Sequence, residues 1–269
     1  MSKKEKFFGV NDLLWGHKWG FKDSSFKIND DGSVTFTGNR YEGISGERLP
    51  YLIPFITKVL DIDIKVEPYF KELEHKHVSQ RNVNKPFLSE LESGFNSDQL
   101  SFEDNDRILH SHGQNSPDEV FKVLYDKLEK FADLVFYIES EEDVLKLIEL
   151  AKKHNVCLVP FGGGTNVTNA LKLPSEENRM IVSVDTRRMN KIISIDKENL
   201  LVTVQCGITG KELENQLHQQ GYTTGHEPDS IELSTVGGWI STNAAGMKKN
   251  RYGNIEDIVQ NITMITPNG

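Results

Sequence analysis

The chain has 269 residues, of which 37% are hydrophobic and 26% charged, and its formal net charge is -9 at pH 7. These values are typical of a globular protein with one large domain or two smaller ones. The acidic balance argues against a general nucleic-acid-binding protein, because neutralising phosphates requires an excess of Lys and Arg. It remains compatible with a local basic patch that binds one small anion.

The two cysteines and the chain ends give limited information. Cys157 and Cys206 lie in apolar, strand-like stretches, which predicts buried free thiols and a reducing compartment. No run of about eighteen apolar residues predicts a transmembrane helix. The N-terminus lacks the apolar core of a secretory signal. The last residues, "TMITPNG", contain no peroxisomal signal of the SKL type and suggest a chain interrupted after a strand.

Residues 1–115 are predicted to form a mostly helical and irregular docking segment. "FKINDDGSVTFTGNRYEG" predicts a hairpin, while "LPYLIPFITKVLDI" and "VEPYFKELEHKH" predict helices. The polar stretch 83–114 predicts a long irregular connection. An aromatic cluster is interpreted as packing on the next domain, with a membrane-facing role as the less favoured alternative; it comprises Phe7, Phe8, Trp15, Trp19 and Phe21.

Residues 116–269 are predicted to form an α+β domain. "SPDEVFKVLYDKLEKFA" has helix-start signals, with Ser116 as N-cap and Pro at the first helical position. The strand "DLVFYIES" follows, and then an amphipathic helix with Ser140 as N-cap. The apolar strand "VCLVPF" is predicted to be buried on both faces. This β-α-β unit leads directly into three consecutive glycines.

The remainder of this domain is predicted from alternating and helical patterns. Short strands are separated by turns at 185–190 and 196–199, and the helix "TGKELENQLHQQG" ends at Gly221. A second stretch rich in Gly, Ser and Thr follows. Residues 255–269 are predicted to be a final strand region.

The triplet Gly162, Gly163 and Gly164 predicts a loop whose backbone lies close to another group, because glycine has no Cβ and reaches positive φ easily. Successive N–H groups in such a loop bind anions, which indicates a phosphate or pyrophosphate. The loop matches neither a P-loop nor a Rossmann fingerprint. A simple flexible turn is the alternative for the triplet alone.

A second loop favours the binding interpretation. "PDSIELSTVGGWISTNAAGMKKNRYGNIEDIV" alternates small residues with hydroxyl-bearing ones and contains Gly237 and Gly238, which are expected to permit close backbone approach. Two such loops indicate two walls of one extended cofactor site.

The two motifs together resemble the FAD-binding domain of flavoenzymes related to vanillyl-alcohol oxidase. The string "HEPDSIELSTVGGWISTNAAGMKKNRYGNIEDIV" and the N-terminal "WGHKWGFKDSSFKINDDGSVTFTGNRY" with "LPYLIPFI" are more specifically similar to the alkyldihydroxyacetonephosphate synthase family. The resemblance covers nearly the whole chain. It implies an FAD-binding domain of the PCMH type, with an α+β fold, after the N-terminal segment.

The resemblance also implies which residues bind FAD. The first loop would place its amides on the pyrophosphate, through Pro160, Phe161, Gly162, Gly163, Gly164, Thr165 and Asn166. The second would line the ribityl chain and the isoalloxazine edge, through Pro228, Asp229, Ser230, Ile231, Glu232, Leu233 and Ser234, and then Ser241, Thr242, Asn243 and Ala244. Since the first loop contains no His, the FAD is expected to be noncovalent.

The activity implied by the resemblance is the exchange of the acyl chain of acyl-dihydroxyacetone phosphate for a fatty alcohol, in ether-lipid synthesis. It implies a homodimer with peripheral membrane contact in the peroxisome. It also implies a cap domain beyond Gly269 that carries the catalytic Tyr, His and Arg positions. No catalytic residue is therefore assigned within residues 1–269.

Two other functions stay open at this stage. An FAD-linked 2-hydroxy-acid dehydrogenase of the D-lactate type would use the same flavin fold. A non-catalytic flavin-binding module is the second alternative, because no acid, base or nucleophile is assigned.

Several individual residues invite a functional interpretation. The pairs His75–His77 and His110–His112 lack partners at metal-ligand spacing, so a solvated surface is expected and no metal site is predicted. His226 is either a residue that supports the second loop or a structural turn residue. A short basic cluster either attracts the substrate phosphate or the cofactor pyrophosphate electrostatically or lies in a solvated turn; it consists of Lys248, Lys249 and Arg251.

Overall fold

A computed structural model describes residues 14–38, 41, 43–64 and 78–268. The chain divides into two compact units, Met1–His77 and Val78–Gly269. The boundary between the units lies earlier in the chain than the predicted boundary after residue 115, so residues 78–115 belong to the second unit. The predicted helix at 66–77 lies outside the described residues, together with Phe7, Phe8, His75 and His77.

The first unit contains a three-stranded antiparallel sheet and one helix. Strands β1 (Ser24–Ile28), β2 (Val34–Gly38) and β3 (Arg48–Leu49) lie in that order. The β1–β2 hairpin and helix α1 (Leu52–Leu60) confirm the sequence predictions.

The second unit contains a four-stranded sheet in the order β4–β5–β7–β6. Strands β5 (Leu134–Tyr137), β7 (Ile181–Asp185) and β6 (Cys157–Phe161) are parallel, and β4 (Leu100–Ser101) is antiparallel to β5. The prediction that "VCLVPF" is buried on both faces was wrong. The fully buried strand is β7, whereas β6 lies at the edge with Pro160 exposed, as suits a residue without an N–H.

Helices α2 (Lys85–Gly94) and α5 (Glu141–His154) pack against each other and contribute to the main hydrophobic core. Phe87 and Leu91 of α2 are fully buried there. The Ser140 hydroxyl accepts the Asp143 N–H at 3.1 Å, which confirms the predicted N-cap of α5.

The stretch 83–114 is more ordered than predicted. Besides α2 and β4, it contains a 3-10 turn (Ser97–Gln99) and helix α3 (Asp104–Leu109). His110 and His112 are 0% and 2% exposed, so the predicted solvated surface was wrong for this pair. Helix α4 (Pro117–Leu124) begins where expected and Ser116 occupies its N-cap position, but the Ser116 hydroxyl donates to Asn169 Oδ1 and makes no capping hydrogen bond.

A second core surrounds Trp239 and Leu213, which are both 2% exposed. It is formed by the antiparallel pair β8 (Ile192–Asp196) and β9 (Leu201–Val204) and by the helices α6 (Gly210–His218), α7 (Val236–Thr242) and α9 (Ile255–Ile258). The short helix α8 (Lys249–Tyr252) has no buried residue.

Two further expectations differ from the structure. The predicted final strand begins instead with α9, and residues 259–266 form no strand. Cys206 is exposed and Cys157 half-buried, so the expected burial of both thiols was wrong; both are free.

Among the described residues, no helix combines the length and apolar character needed to cross a membrane.

Candidate cofactor-binding site

The first loop, residues 160–166, lies at the carboxyl edge of the parallel strands. It follows β6, whose last residue Phe161 pairs in register with Asp185 at the end of β7. Binding sites in open α/β sheets form at this edge, because the loops that leave the strands converge there. The strand order therefore places the glycines in a position suited to ligand binding.

The glycines permit contact with another part of the chain. A Cβ on Gly163 would lie 1.9 Å from the Leu233 carbonyl oxygen, and one on Gly162 would lie 2.5 Å from the Thr235 hydroxyl oxygen. Gly164 has a φ of +67°, which a side chain would strain. The first loop therefore lies directly against the second loop, residues 228–234, as two walls of one site would require.

The first loop presents a run of unused donors. The backbone N–H groups of Gly162, Gly163, Gly164, Thr165 and Asn166 have no hydrogen-bond partner among residues 14–38, 41, 43–64 and 78–268. Gly163 and Gly164 are buried, and buried N–H groups in proteins almost always have an acceptor. Consecutive free amides are the donor set that a pyrophosphate needs, so the loop fits the phosphate part of FAD.

The second loop is held by side chains. The Thr235 hydroxyl accepts the Gly238 N–H at 3.2 Å and caps α7. The Trp239 indole N–H donates to the Ser234 hydroxyl at 2.8 Å, in a buried contact. A Cβ on Gly237 would lie 3.0 Å from the Cys206 carbonyl oxygen, so the expected close backbone approach is made by this chain itself.

The remaining predicted residues of the second loop vary in exposure. Ser241 and Thr242 are exposed, and their hydroxyls donate to the carbonyl oxygens of Gly237 and Gly238 at 2.7 and 2.8 Å. Asn243 ends α7 in the left-handed conformation, with φ 49°. Five residues of the loop are half-buried, namely Pro228, Ser230, Ile231, Glu232 and Leu233, as is Ala244, whereas Asp229 is exposed.

Residues 110–116 support the first loop from the other side, a role that the sequence did not indicate. The Gln114 N–H donates to the Gly164 carbonyl at 2.6 Å, and the Asn115 amide donates to the Thr165 carbonyl at 3.2 Å. The buried Glu119 carboxylate accepts the Gly113 N–H at 2.7 Å. The side chains of Ser111 and His112 likewise hydrogen-bond to backbone carbonyls in the interior.

A buried ionic cluster lies beside Phe161. His110 Nε2 hydrogen-bonds to Asp185 Oδ2 at 2.8 Å, and Arg187 Nε donates to Asp185 Oδ1 at 3.0 Å. Burial opposes ionisation of Asp185, but the Arg187 charge and the hydrogen bonds from His110 and Arg187 outweigh it and hold the pKa of Asp185 well below its ordinary value. The His110 ring lies 4.4 Å from the Phe161 ring, between centroids.

His226 is 1% exposed, and neither ring nitrogen has a hydrogen-bond partner in the described part of the chain. Its ring packs edge-on against Trp239, with centroids 4.8 Å apart. Burial lowers the pKa of His226, so the imidazole is neutral at pH 7. This contact favours the interpretation that His226 supports the second loop.

The predicted basic cluster is only partly available to an anion. Lys248 pairs with Glu227 at 2.5 Å, and Arg251 lies over the Tyr252 ring at 5.3 Å from its centroid. Within the described ranges, no group of three His, Cys, Asp or Glu side chains is arranged to hold a metal ion.

Comparisons with known proteins agree with this geometry. A family described as FAD binding domain matches residues 132–269. An alkyldihydroxyacetonephosphate synthase from Caenorhabditis elegans is 43% identical over 96% of this chain and 42% of its own length. A mitochondrial D-lactate dehydrogenase [cytochrome] from Kluyveromyces lactis is 30% identical over 68% of this chain and 30% of its own length.

A solved structure of an alkyldihydroxyacetonephosphate synthase superimposes with a TM-score of 0.88 at 33% identity, covering 100% of this chain and 48% of that one. The chain thus spans less than half the length of the synthases that it matches. The match to the FAD binding domain family covers half of the chain, and the paired loops with their free amides fit the cofactor. The chain therefore belongs to the FAD binding domain family, and its cofactor is FAD.

Proposed function

We propose that this protein acts in the flavin-dependent exchange of the acyl chain of acyl-dihydroxyacetone phosphate for a fatty alcohol, which forms the ether bond of ether lipids. The extent of the similarity carries this proposal. The synthase relative matches 96% of the chain, whereas the FAD binding domain match begins at residue 132. The similarity therefore includes a large part of the chain that flavin binding alone does not require.

The two loops would divide the cofactor between them. The free N–H groups of residues 162–166 would hold the pyrophosphate, and the second loop with residues 241–244 would line the ribityl chain and the isoalloxazine edge. When bound, FAD supplies the flavin ring on which the exchange depends, and this chain binds and orients it. No residue of this chain is assigned a catalytic role.

Noncovalent FAD is part of the proposal, because the first loop contains no His to form a link. The test is the visible absorption spectrum of the purified protein before and after acid precipitation. Flavin that moves to the supernatant supports noncovalent binding, whereas flavin that stays in the pellet contradicts it.

The transferase activity is tested by incubating the protein with acyl-dihydroxyacetone phosphate and radiolabelled hexadecanol. Label in an alkali-stable ether product is the expected result. A full-length protein that retains FAD but yields only unreacted alcohol would exclude the transferase function without affecting the cofactor assignment.

The D-lactate dehydrogenase alternative is favoured by one observation, the relative that matches 68% of the chain. Anaerobic addition of D-lactate separates the two functions. Bleaching of the flavin absorption would support the dehydrogenase, and an unchanged spectrum is expected for the transferase.

Assembly and location complete the proposal. We expect a homodimer with peripheral membrane contact in the peroxisome, as in the family that the sequence resembles. Sedimentation velocity, flotation with vesicles and imaging of the tagged protein test these three expectations in turn.

A further inference from the structure

Arg187 lies at the same edge of the sheet as the first loop. Phe161 and Asp185 are paired at the ends of β6 and β7, and the Thr186 N–H donates to the Phe161 carbonyl at 3.0 Å just beyond. Gly162 follows Phe161 directly, and Arg187 is the second residue after Asp185. The guanidinium carbon of Arg187 lies 5.1 Å from the Phe161 ring centroid, so the side chain stays beside the start of the loop.

The Arg187 side chain is already fixed. Its Nε donates to Asp185 Oδ1 at 3.0 Å and its Nη2 donates to Asp185 Oδ2 at 2.5 Å. The side chain is 11% exposed, and that of Asp185 is 1% exposed. An arginine held in this way loses little further conformational freedom when it binds a ligand, so the entropic cost of binding is reduced.

One edge of this guanidinium has no protein partner. Every hydrogen bond that Arg187 makes within the described ranges uses its backbone N–H, Nε or Nη2, and none uses Nη1. A guanidinium can bind a carboxylate along one edge and a phosphate oxygen along another, because its five N–H donors lie in one plane. The neighbouring backbone N–H groups of residues 162–166 also make no hydrogen bond within the described ranges.

We propose that Arg187, held in place by Asp185 and His110, is a phosphate-binding residue that adds a side-chain cation to the amides of the first loop. The ligand is the pyrophosphate of FAD. The inference rests on the proposed placement of that pyrophosphate, and it extends the site to a residue outside both predicted loops. Asp185 and His110 act as positioning residues.

The test compares FAD affinity in Arg187→Gln with that in Arg188→Gln, the matched control. Arg188 adjoins Arg187 in the chain, but its guanidinium pairs with Glu139 at 2.7 Å and lies over the Tyr137 ring. Flavin-free protein is titrated with FAD, and binding is followed by the change in flavin fluorescence. We expect an affinity loss of about tenfold or more for Arg187→Gln, since charge-assisted bonds to phosphate are strong, and no change for Arg188→Gln.

Salt dependence separates a phosphate contact from a structural role. The titrations are repeated over a series of NaCl concentrations, because salt screens a charge contact and leaves loop shape largely unaffected. The FAD affinity of Arg187→Gln should fall less steeply with salt than that of the wild type. Arg187→Lys keeps the charge without the planar fork and should retain part of the affinity.

Arg187→Gln leaves the buried Asp185 carboxylate without its cation, so this variant can lose stability for a reason unrelated to FAD. The double variant Asp185→Asn/Arg187→Gln removes both charges of this buried pair, so neither is left without its partner. We expect it to unfold at a temperature closer to that of the wild type and still to bind FAD weakly with a reduced salt dependence.

Three outcomes would overturn the proposal. They are unchanged FAD affinity in Arg187→Gln, a salt dependence equal to that of the wild type, and recovery of full affinity in the double variant. If the wild type binds FAD normally in these cases, only the role of Arg187 fails. If the wild type itself binds no FAD, the proposed placement of the pyrophosphate fails as well. The transferase assay is independent of these titrations.

Discussion

The two loops of the cofactor site are built by opposite means. The first loop depends on the absence of a Cβ at Gly162 and Gly163, which leaves room for the second loop to lie directly against them. The second loop takes its shape from side chains that are present, through the Thr235 hydroxyl and the Trp239 indole. The comparison shows that a glycine-rich sequence can indicate contact between two parts of one chain as much as contact with a ligand.

The largest effect is expected for Gly163→Ala. Its backbone is compatible with alanine, because its φ is not positive, but the new methyl group would lie 1.9 Å from the Leu233 carbonyl oxygen. Backbone cannot move aside as a flexible side chain can, so we expect a loss of about 3 kcal/mol or more in unfolding free energy and loss of FAD binding. Urea unfolding and FAD titration measure both quantities.

Gly94→Ala is the control, since a Cβ there meets no atom within 4 Å and the residue ends α2. It should leave both quantities nearly unchanged. If Gly163→Ala behaves like this control, the loops are not pressed together as described.

A smaller effect is expected for Trp239→Phe. Phenylalanine keeps much of the buried ring but cannot donate to Ser234, whose hydroxyl is 2.8 Å from the indole nitrogen. The lost bond and the reduced ring volume together should cost about 2 kcal/mol. Thermal unfolding of the flavin-free protein measures the loss, and an unchanged midpoint would mean that the indole does not anchor the second loop.

Removal of the Thr235 cap should cost less. Thr235→Val keeps the shape of the side chain and loses only the hydroxyl that accepts the Gly238 N–H. The expected loss is about 1 kcal/mol, the usual value for an N-cap. Thr235→Ser retains the hydroxyl and serves as the control; a loss in Thr235→Val no larger than that in Thr235→Ser would contradict the role of the hydroxyl as a cap.

The smallest effect at neutral pH is expected for His226→Phe, whose consequence lies in pH dependence. Burial lowers the pKa of His226 in the folded state below its ordinary 6.5. The unfolded chain therefore takes up the proton first as pH falls, and stability decreases from about pH 7 downward. His226→Phe should reduce this decrease in urea-unfolding free energies measured between pH 7 and pH 5. An identical pH profile in wild type and His226→Phe would contradict the burial effect.

Local sequence signals predicted much of the second unit. The β-α-β order from 134 to 161, the Ser140 cap and the turn after β7 depend on residues close together in the chain, and the structure contains all of them. The two glycine-rich loops carried the resemblance to FAD-binding flavoenzymes, and the FAD binding domain match over residues 132–269 agrees with it.

Two of the predictions that failed concern burial. The polar side chains of His110 and His112 predicted a solvated surface, but both residues are buried. The hydrogen-bond partner of His110 is Asp185, which lies 75 positions away in the chain. The apolar composition of β6 predicted a strand buried on both faces, but the strand order places β6 at the edge of the sheet and β7 in its interior. Burial of this kind depends on residues that are distant in the chain, so the local sequence around His110 or β6 does not predict it.

The sequence by itself determined the local elements, the glycine positions and the family, because each is encoded by residues within a short stretch. Only the tertiary structure decided that the glycines face Leu233 and Thr235, that residues 110–116 support the first loop, and that Arg187 stands beside it. These are contacts between distant parts of the chain. They exist because the parallel sheet brings the ends of β6 and β7 to one edge, where the packing of the loops fixes which groups remain available to a ligand.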